Sequence, residues 1–161
     1  MIFGVVVLTL VISFGGVLLF GAPYLPTLSP QVTIALDLAA LRPGERLIEL
    51  GCGDGKVLVA AAQRGLQVTG YELNPLLAAV CWLRTRRYHS QVTVKCGDFW
   101  RSSWPPAEAI FTFLLPRYMD KLNKKIIQYN HKPVKLISFA FTIPDKPSIV
   151  SQSGVHVYEY R

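Results

Sequence analysis

The sequence predicts an α/β domain: a doubly wound, mostly parallel sheet with an antiparallel C-terminal strand, preceded by one N-terminal transmembrane helix. Three observations predict it. Short apolar runs alternate with helix-period segments along most of the chain, the pattern of parallel strands joined by crossover helices. A glycine turn, Gly51-Cys-Gly-Asp-Gly55, joins the first such run to the helix after it. Residues 1–36 contain no Asp, Glu, Lys or Arg, so all 17 basic and all 10 acidic residues fall in the remaining 125. At 161 residues the chain suits one core, and 51% hydrophobic against 17% charged residues exclude a disordered or acidic tail protein.

The elements follow in order. Residues 2–22 are broken only by Thr9, Ser13 and four glycines among Val, Leu, Ile and Phe, and as a helix they would be about 30 Å long, enough to cross a bilayer. No Lys or Arg precedes this run and no small-x-small cleavage site follows it, so it reads as a retained anchor (1–22) rather than a cleaved signal peptide. A net charge of +7 suits an anionic inner leaflet, which places a single-pass membrane protein's domain on the cytoplasmic side. Residues 23–30 form a proline-rich connector, since Pro23 and Pro26 break the helical ladder and Ser29-Pro30 reads as an N-cap followed by Pro at the first helical position. The domain proper is expected over 31–161.

It opens with a helix over 31–41, whose stripe is Val32, Ala35, Leu36 and Ala39. Strands are predicted at 46–50, 67–71, 92–96, 109–115, 135–143 and 155–160. Helices are predicted at 56–64, from the Asn74-Pro75 cap to about residue 89, and at 116–129. The last two strands are separated only by residues 144–154, with Pro144, Pro147 and Gly154 among them. That link is too short and too rich in breakers for a crossover helix, hence the antiparallel return. Cys52, Cys81 and Cys96 make no disulfide framework and show no zinc spacing, which points to a reducing compartment and no metal.

In an open sheet of this kind ligands bind beyond the carboxyl ends of the strands. Gly51, Gly53 and Gly55 follow the first strand and clear space for backbone to approach a ligand. Glu72 ends the second strand 21 residues after Gly51, the spacing at which a carboxylate accepts bonds from both hydroxyls of a ribose. Asp98 ends the third, beside Phe99 and Trp100, a polar anchor next to aromatics suited to flank adenine. Glu49 before the turn and Asp54 inside it would repel a pyrophosphate, Lys56 is the one nearby cation, and no Gly-Lys-Ser or Gly-Lys-Thr loop is present. The loop therefore suits a ligand with positive groups. S-adenosyl-L-methionine, with an ammonium, a sulfonium, a ribose and an adenine, matches these four acids.

Glu49-Leu-Gly-Cys-Gly-Asp-Gly55, Gly70-Tyr-Glu-Leu-Asn-Pro75 and Gly97-Asp98 resemble the first three motifs of the class I, Rossmann-like S-adenosylmethionine-dependent methyltransferases. The apolar N-terminus, Pro23-Tyr-Leu-Pro-Thr27 and Leu115-Pro116 are further similar to the membrane-anchored lysine methyltransferases that modify the c-type subunit of ATP synthase and the adenine nucleotide translocase. The resemblance implies cofactor contacts at Tyr24, Thr27, Glu49, Gly51, Cys52, Gly53, Asp54, Gly55, Glu72, Leu73, Asp98 and Phe99, with Tyr24 and Thr27 over the methionine end. For the acceptor, the residues themselves suggest a substrate slot at Leu114, Leu115 and Pro116, with Asp98, Tyr118 and Thr27 as substrate-positioning catalytic candidates. Cys52 and Lys56 stand where serine and arginine are expected.

The implied activity is methylation of a lysine amine of a membrane protein. The apolar Phe113–Pro116 stretch is either a slot that lowers the lysine's pKa by desolvation or simply a buried strand end. Arg84, Arg86 and Arg87, with Lys121, Lys124 and Lys125, are read either as contacts to an anionic membrane surface or as ordinary helix-end charges. A lipophilic small-molecule acceptor and a non-catalytic membrane module with the same fold are the alternatives. An anchored enzyme argues against a nucleic-acid partner.

Overall fold

The computed structural model describes residues 27–161. The expected membrane span, Tyr24 and the connector as far as Pro26 lie outside the described residues, and among the described residues no helix is long and apolar enough to cross a membrane. The strands are β1 (Arg46–Leu50), β2 (Gln67–Glu72), β3 (Val92–Cys96), β4 (Ala109–Thr112), β5 (Val134–Phe139), β6 (Val150–Gln152) and β7 (Val155–Tyr160). They form one sheet in the order β3-β2-β1-β4-β5-β7-β6. Strands β1 to β5 are mutually parallel, while β7 runs antiparallel to both β5 and β6. The doubly wound expectation and the antiparallel return are therefore both met.

Alternation along the strands builds two cores. Leu47, Ala109, Phe111, Ile137 and Val157 point to one face, where they meet α1 (Ser29–Ala39), α2 (Lys56–Gln63) and α3 (Pro75–Thr85). Ile48, Leu50, Ile110, Leu136 and Tyr158 point to the other, against α4 (Met119–Ile127) and the chain around Phe99 and Trp104. Helix α4 seats Met119, Leu122 and Ile126 in that layer, all fully buried, at the helical spacing that makes one stripe. Each such burial stabilises the fold by about 1.5–3 kcal/mol.

Several boundaries differ from the sequence expectation, each for a local reason. Helix α1 starts at Ser29 with Leu28 as its cap, because Pro30 fits a first turn whose N–H groups need no helical partner. Helix α3 ends at Thr85 and tightens into the 3-10 turn Arg86–Tyr88. There the Thr85 hydroxyl donates back to the Cys81 carbonyl at 2.9 Å, a bond that competes with the regular ladder. Strand β4 stops at Thr112, Pro116 opens a 3-10 turn (Pro116–Tyr118), and the helix after it begins only at Met119 and ends at Ile127. Strand β5 stops at Phe139, where Ala140 turns to φ +68°. The hairpin strand β6 has no counterpart among the expected elements. Its residues are all exposed and carry no apolar alternation, and its partner is reached through Ser153 and Gly154 at φ +50° and +78°, a two-residue turn with both residues left-handed.

The sheet and the glycine turn lock together at Gly70, in the buried middle of β2. A Cβ there would lie 2.6 Å from Leu58 Cδ1 and 2.9 Å from the Cys52 side chain. Gly70→Ala is expected to cost about 1–3 kcal/mol through this overpacking, seen as a lower urea midpoint at unchanged slope. An unchanged midpoint would show that α2 shifts freely over the sheet.

Candidate functional site

The turn after β1 exists because three glycines adopt left-handed backbone: Gly51, Gly53 and Gly55 have φ of +82°, +52° and +79°. The amides of Gly51 and Cys52 both donate to the Tyr71 carbonyl, at 2.9 and 2.8 Å, which binds the turn to β2. Gly55 closes it by donating to the Cys52 carbonyl at 2.8 Å. A Cβ on Gly51 would meet nothing within 4 Å, and the same holds for Gly97 after β3. Both positions open the backbone to a ligand at the carboxyl end of the sheet.

Glu72, the last residue of β2, is buried and holds this end together. Its carboxylate accepts from the Gly53 amide at 2.8 Å and from the Asn74 amide at 2.8 Å, one on each oxygen. Asn74 in turn caps α3, accepting from Leu76 N at 2.9 Å and Leu77 N at 3.4 Å. Each Glu72 oxygen retains a second lone pair, which leaves acceptor capacity for a diol.

Glu49 is different. It is 5% exposed, and its Oε2 has no hydrogen-bond partner among the described residues. Burial, then the neighbouring Cys81, Asp54 and Glu72, push its carboxyl well above the usual range. No described cation answers it, because Lys56 Nζ donates instead to the Thr27 carbonyl at 3.1 Å. A buried, unpaired acid at a ligand-binding end is the signature of a site that awaits a cation or a hydrogen-bond donor.

The remaining acids are committed within the protein. Asp54 pairs with Arg84 and accepts from the Lys56 amide at 3.3 Å, so it ties the turn to α3. Asp98 accepts from the Trp100 amide at 2.8 Å and lies 3.6 Å from Arg101 Nε, which shapes the loop after β3. Cys52 and Cys81 bury their sulfurs 3.6 Å apart. The hydrogen bond to Cys81 and burial push the Cys52 thiol far up, so it is inert and contributes backbone. Thr27 is buried and fastened through its carbonyl, while Leu73 stays 40% exposed at the rim.

On the β4 side, Leu114 packs into the second core, so of the expected slot only Leu115 and Pro116 reach the surface. Tyr118 stands there with an aromatic group that sequence reasoning did not assemble. Phe99 and Trp100 have ring centroids 4.7 Å apart, and Trp100 and Tyr118 lie at 6.0 Å. The Lys121 ammonium sits 4.4 Å over the Trp100 ring. Thr112, fully buried at the end of β4 with a hydroxyl unpartnered among the described residues, is a further polar group that sequence reasoning misses; nothing in its sequence neighbourhood marks it. Asp98, Tyr118 and Trp100 thus share one side of the site, and Thr27 and Lys56 the other.

Residues 49–149 match the family model described as the ANTKMT methyltransferase domain. The chain is 31% identical over 125 residues to the lysine N-methyltransferase of the ATP synthase c-type subunit from Xenopus laevis, covering 76% of this chain and 55% of that protein. It is 31% identical over 144 residues to the adenine nucleotide translocase lysine N-methyltransferase of Mus musculus, covering 86% and 62%. The chain therefore spans little more than half the length of these relatives. An RNA methyltransferase of Salinibacter ruber, solved with S-adenosyl-L-homocysteine, superposes with a TM-score of 0.76 at 25% identity, covering 84% of this chain and 92% of that one.

The residues present fit S-adenosylmethionine. Unpaired Glu49 matches its ammonium, the remaining lone pairs of Glu72 match its ribose, and the clearances over Gly51 and Gly97 admit it. Glu49 also sets a pH dependence. Below the ordinary carboxyl range it is protonated in the folded and unfolded chain alike; as pH rises, the unfolded chain releases its proton first, so the native state loses stability until Glu49 itself ionises. Glu49→Gln should therefore raise the ligand-free urea midpoint at about pH 8 and leave it nearly unchanged at about pH 4. The same change should weaken S-adenosylmethionine binding about tenfold to a hundredfold, the loss of one charge-assisted bond. Unchanged affinity in calorimetry would remove Glu49 from the site.

Proposed function

Because the chain belongs to the ANTKMT methyltransferase family, of S-adenosylmethionine-dependent enzymes, we propose that it methylates the side-chain amine of a lysine in a membrane protein. The observation that carries the reading is Glu49, a buried acid with no counter-charge among the described residues at the carboxyl end of the sheet. The relatives named for lysines of the ATP synthase c-type subunit and of the adenine nucleotide translocase support the acceptor. The uncharged apolar run over residues 2–22 supports an anchor, and the net charge of +7 supports a domain on the cytoplasmic face.

When bound, the cofactor supplies a methyl group on a positively charged sulfur that leaves as a neutral thioether. The chain's own residues have three tasks. Glu72 keeps the glycine turn and the start of α3 in one position, which preorganises the cofactor end. Glu49, ionised opposite an ammonium, orients the methionine end and lowers its own pKa in doing so. The acceptor side must deliver a neutral amine, and no described side chain there is an unengaged base: Asp98 already holds the Trp100 amide. Apolar Leu115 and Pro116 and the rings of Trp100 and Tyr118 instead strip water from the lysine, which favours loss of its proton to solvent before attack. The Lys121 ammonium over Trp100 supports an aromatic face that accepts an aminoalkyl chain.

A second reading, an RNA acceptor, is favoured by the likeness to the Salinibacter ruber protein and the net charge of +7. Incubation of the full chain with membrane extract and methyl-labelled S-adenosylmethionine separates them. The lysine reading expects label in protein, recovered as methyl-lysine, at a rate that rises with pH as the acceptor amine is neutralised. Label in RNA or in the lipid extract would overturn it. Tyr118→Ala is expected to raise the KM for the acceptor several-fold with a smaller effect on cofactor affinity, because its ring follows β4 on the acceptor side and reaches the loop after β3 only through Trp100.

A further inference from the structure

Helix α3 is built inside out. Its buried residues are the small ones, Ala78, Cys81 and Thr85. Its large apolar residues face outward: Leu76 is 38% exposed, Val80 48%, Leu83 55% and Trp82 64%, with Leu73 just before the helix at 40%. The inward half has a packing reason. A Cβ on Gly55 would lie 2.7 Å from Cys81 Sγ, so α3 presses on the glycine turn too closely for large side chains. The outward half has none, since no described residue covers it. At helical spacing Leu76, Val80 and Leu83 form one stripe, and Trp82, about 100° round the helix from Leu83, is exposed on its flank; together they make an apolar surface of the kind that marks an interaction site.

Charge identifies what covers the stripe. Arg84 is engaged with Asp54, but Arg86 and Arg87, which follow directly, are exposed and make no ion pair among the described residues. A stripe of Leu and Val, an outward Trp and, at one end, exposed arginines without a carboxylate partner among the described residues, Arg87 resting 5.6 Å from the Tyr88 ring centroid, have the chemistry of an anionic bilayer interface. Acyl chains take the aliphatic residues, the headgroup layer takes the indole, and phosphates take the guanidinium groups. The rest of the chain points the same way. The charge-free segment before residue 27 joins the domain at Thr27, which Lys56 pins to the first turn of α2, and α2 packs against α3. Leu28, at that junction, is 61% exposed.

We propose that α3 lies on the surface of an anionic membrane, with Leu76, Val80, Trp82 and Leu83 in the interface and Arg86 and Arg87 on lipid phosphates. This deepens, and rests on, the reading of the chain as membrane-bound. Its consequence is orientation. Leu73 directly follows Glu72, so contact along α3 brings the cofactor end of the sheet to the bilayer surface, at the level where a lysine of a membrane protein emerges.

The test uses the full chain with phosphatidylcholine vesicles, with and without phosphatidylserine, whose acyl chains are brominated near the headgroup. Flotation reports whether the chain binds vesicles at all, and tryptophan quenching reports where α3 lies. Trp100 and Trp104, the other two tryptophans, lie on the opposite face of the sheet. The proposal expects quenching that deepens with phosphatidylserine, disappears in Trp82→Phe, and is lost in Val80→Glu/Leu83→Glu, while S-adenosylmethionine affinity in calorimetry stays unchanged. Flotation with no Trp82-dependent quenching would overturn the α3 contact and leave membrane attachment standing. Failure to float would overturn both. A dimer in detergent solution that Val80→Glu/Leu83→Glu abolishes, without lipid quenching, would assign the stripe to a second copy of the chain and overturn the proposal.

Discussion

The carboxylate of Glu72 is the constraint on which the site depends. One oxygen takes the amide of Gly53 in the glycine turn and the other the amide of Asn74 at the start of α3, each at 2.8 Å. A single buried acid thereby sets the distance between two backbone segments that otherwise share only packing. Because both bonds lie in a dry setting and run to different oxygens of one side chain, they are stronger than bonds in water and fixed in direction. Asp54 and Arg84 add a second tie between the same two elements, at the far side of the turn. The turn is thus rigid before any ligand arrives, which lowers the entropy cost of binding.

Against this satisfied frame, Glu49 stands out as unsatisfied. The protein places it at 5% exposure, next to other acids and without a described cation. Such an arrangement costs stability in the ligand-free chain, and a cationic ligand restores it. Stability and binding are therefore opposed at one residue: what makes the empty fold weaker makes the complex selective for a positive charge. A dinucleotide phosphate at the same turn would meet Glu49 and Asp54 as repulsion.

The two faces of the molecule divide the remaining work. On the helix-rich face, α2 and α3 approach closely because Gly55, Cys81 and Thr85 are small, and the bulk that does not fit inside is carried outside on α3. On the other face the aromatic residues Phe99, Trp100 and Tyr118 gather where the chain leaves β3 and β4. Lys121 and Lys125 lie over the Trp100 and Trp104 rings, so part of the basic charge on α4 covers aromatic surface rather than facing an external partner.

Much of this was legible in the sequence, because it rests on local rules. Short apolar runs marked β1, β2, β3 and β7, the Gly51-Cys-Gly-Asp-Gly55 turn marked the ligand end, Asn74-Pro75 marked the start of α3, and Glu49, Glu72 and Asp98 were recognisable by their places at or just beyond the ends of strands. Strand and helix ends were less legible, since Thr85 and Ala140 act through hydrogen bonds and backbone angles that periodicity does not carry, and β6 has no apolar pattern at all. The roles of the acids were decided only by the fold. Sequence placed Glu72 at the ribose and Asp98 beside the adenine, but it could not say which of Glu49, Asp54, Glu72 and Asp98 the fold itself would engage. Tertiary structure gives Asp54 to Arg84, 30 residues away, gives Glu72 and Asp98 to backbone amides, and leaves Glu49 Oε2 with no partner among the described residues. The sequence by itself determined which residues reach the carboxyl end of the sheet, because strand period and glycine turns are local. Which of them remain free to bind was settled by long-range pairing, because a charge is available only when nothing folded beside it has already taken it.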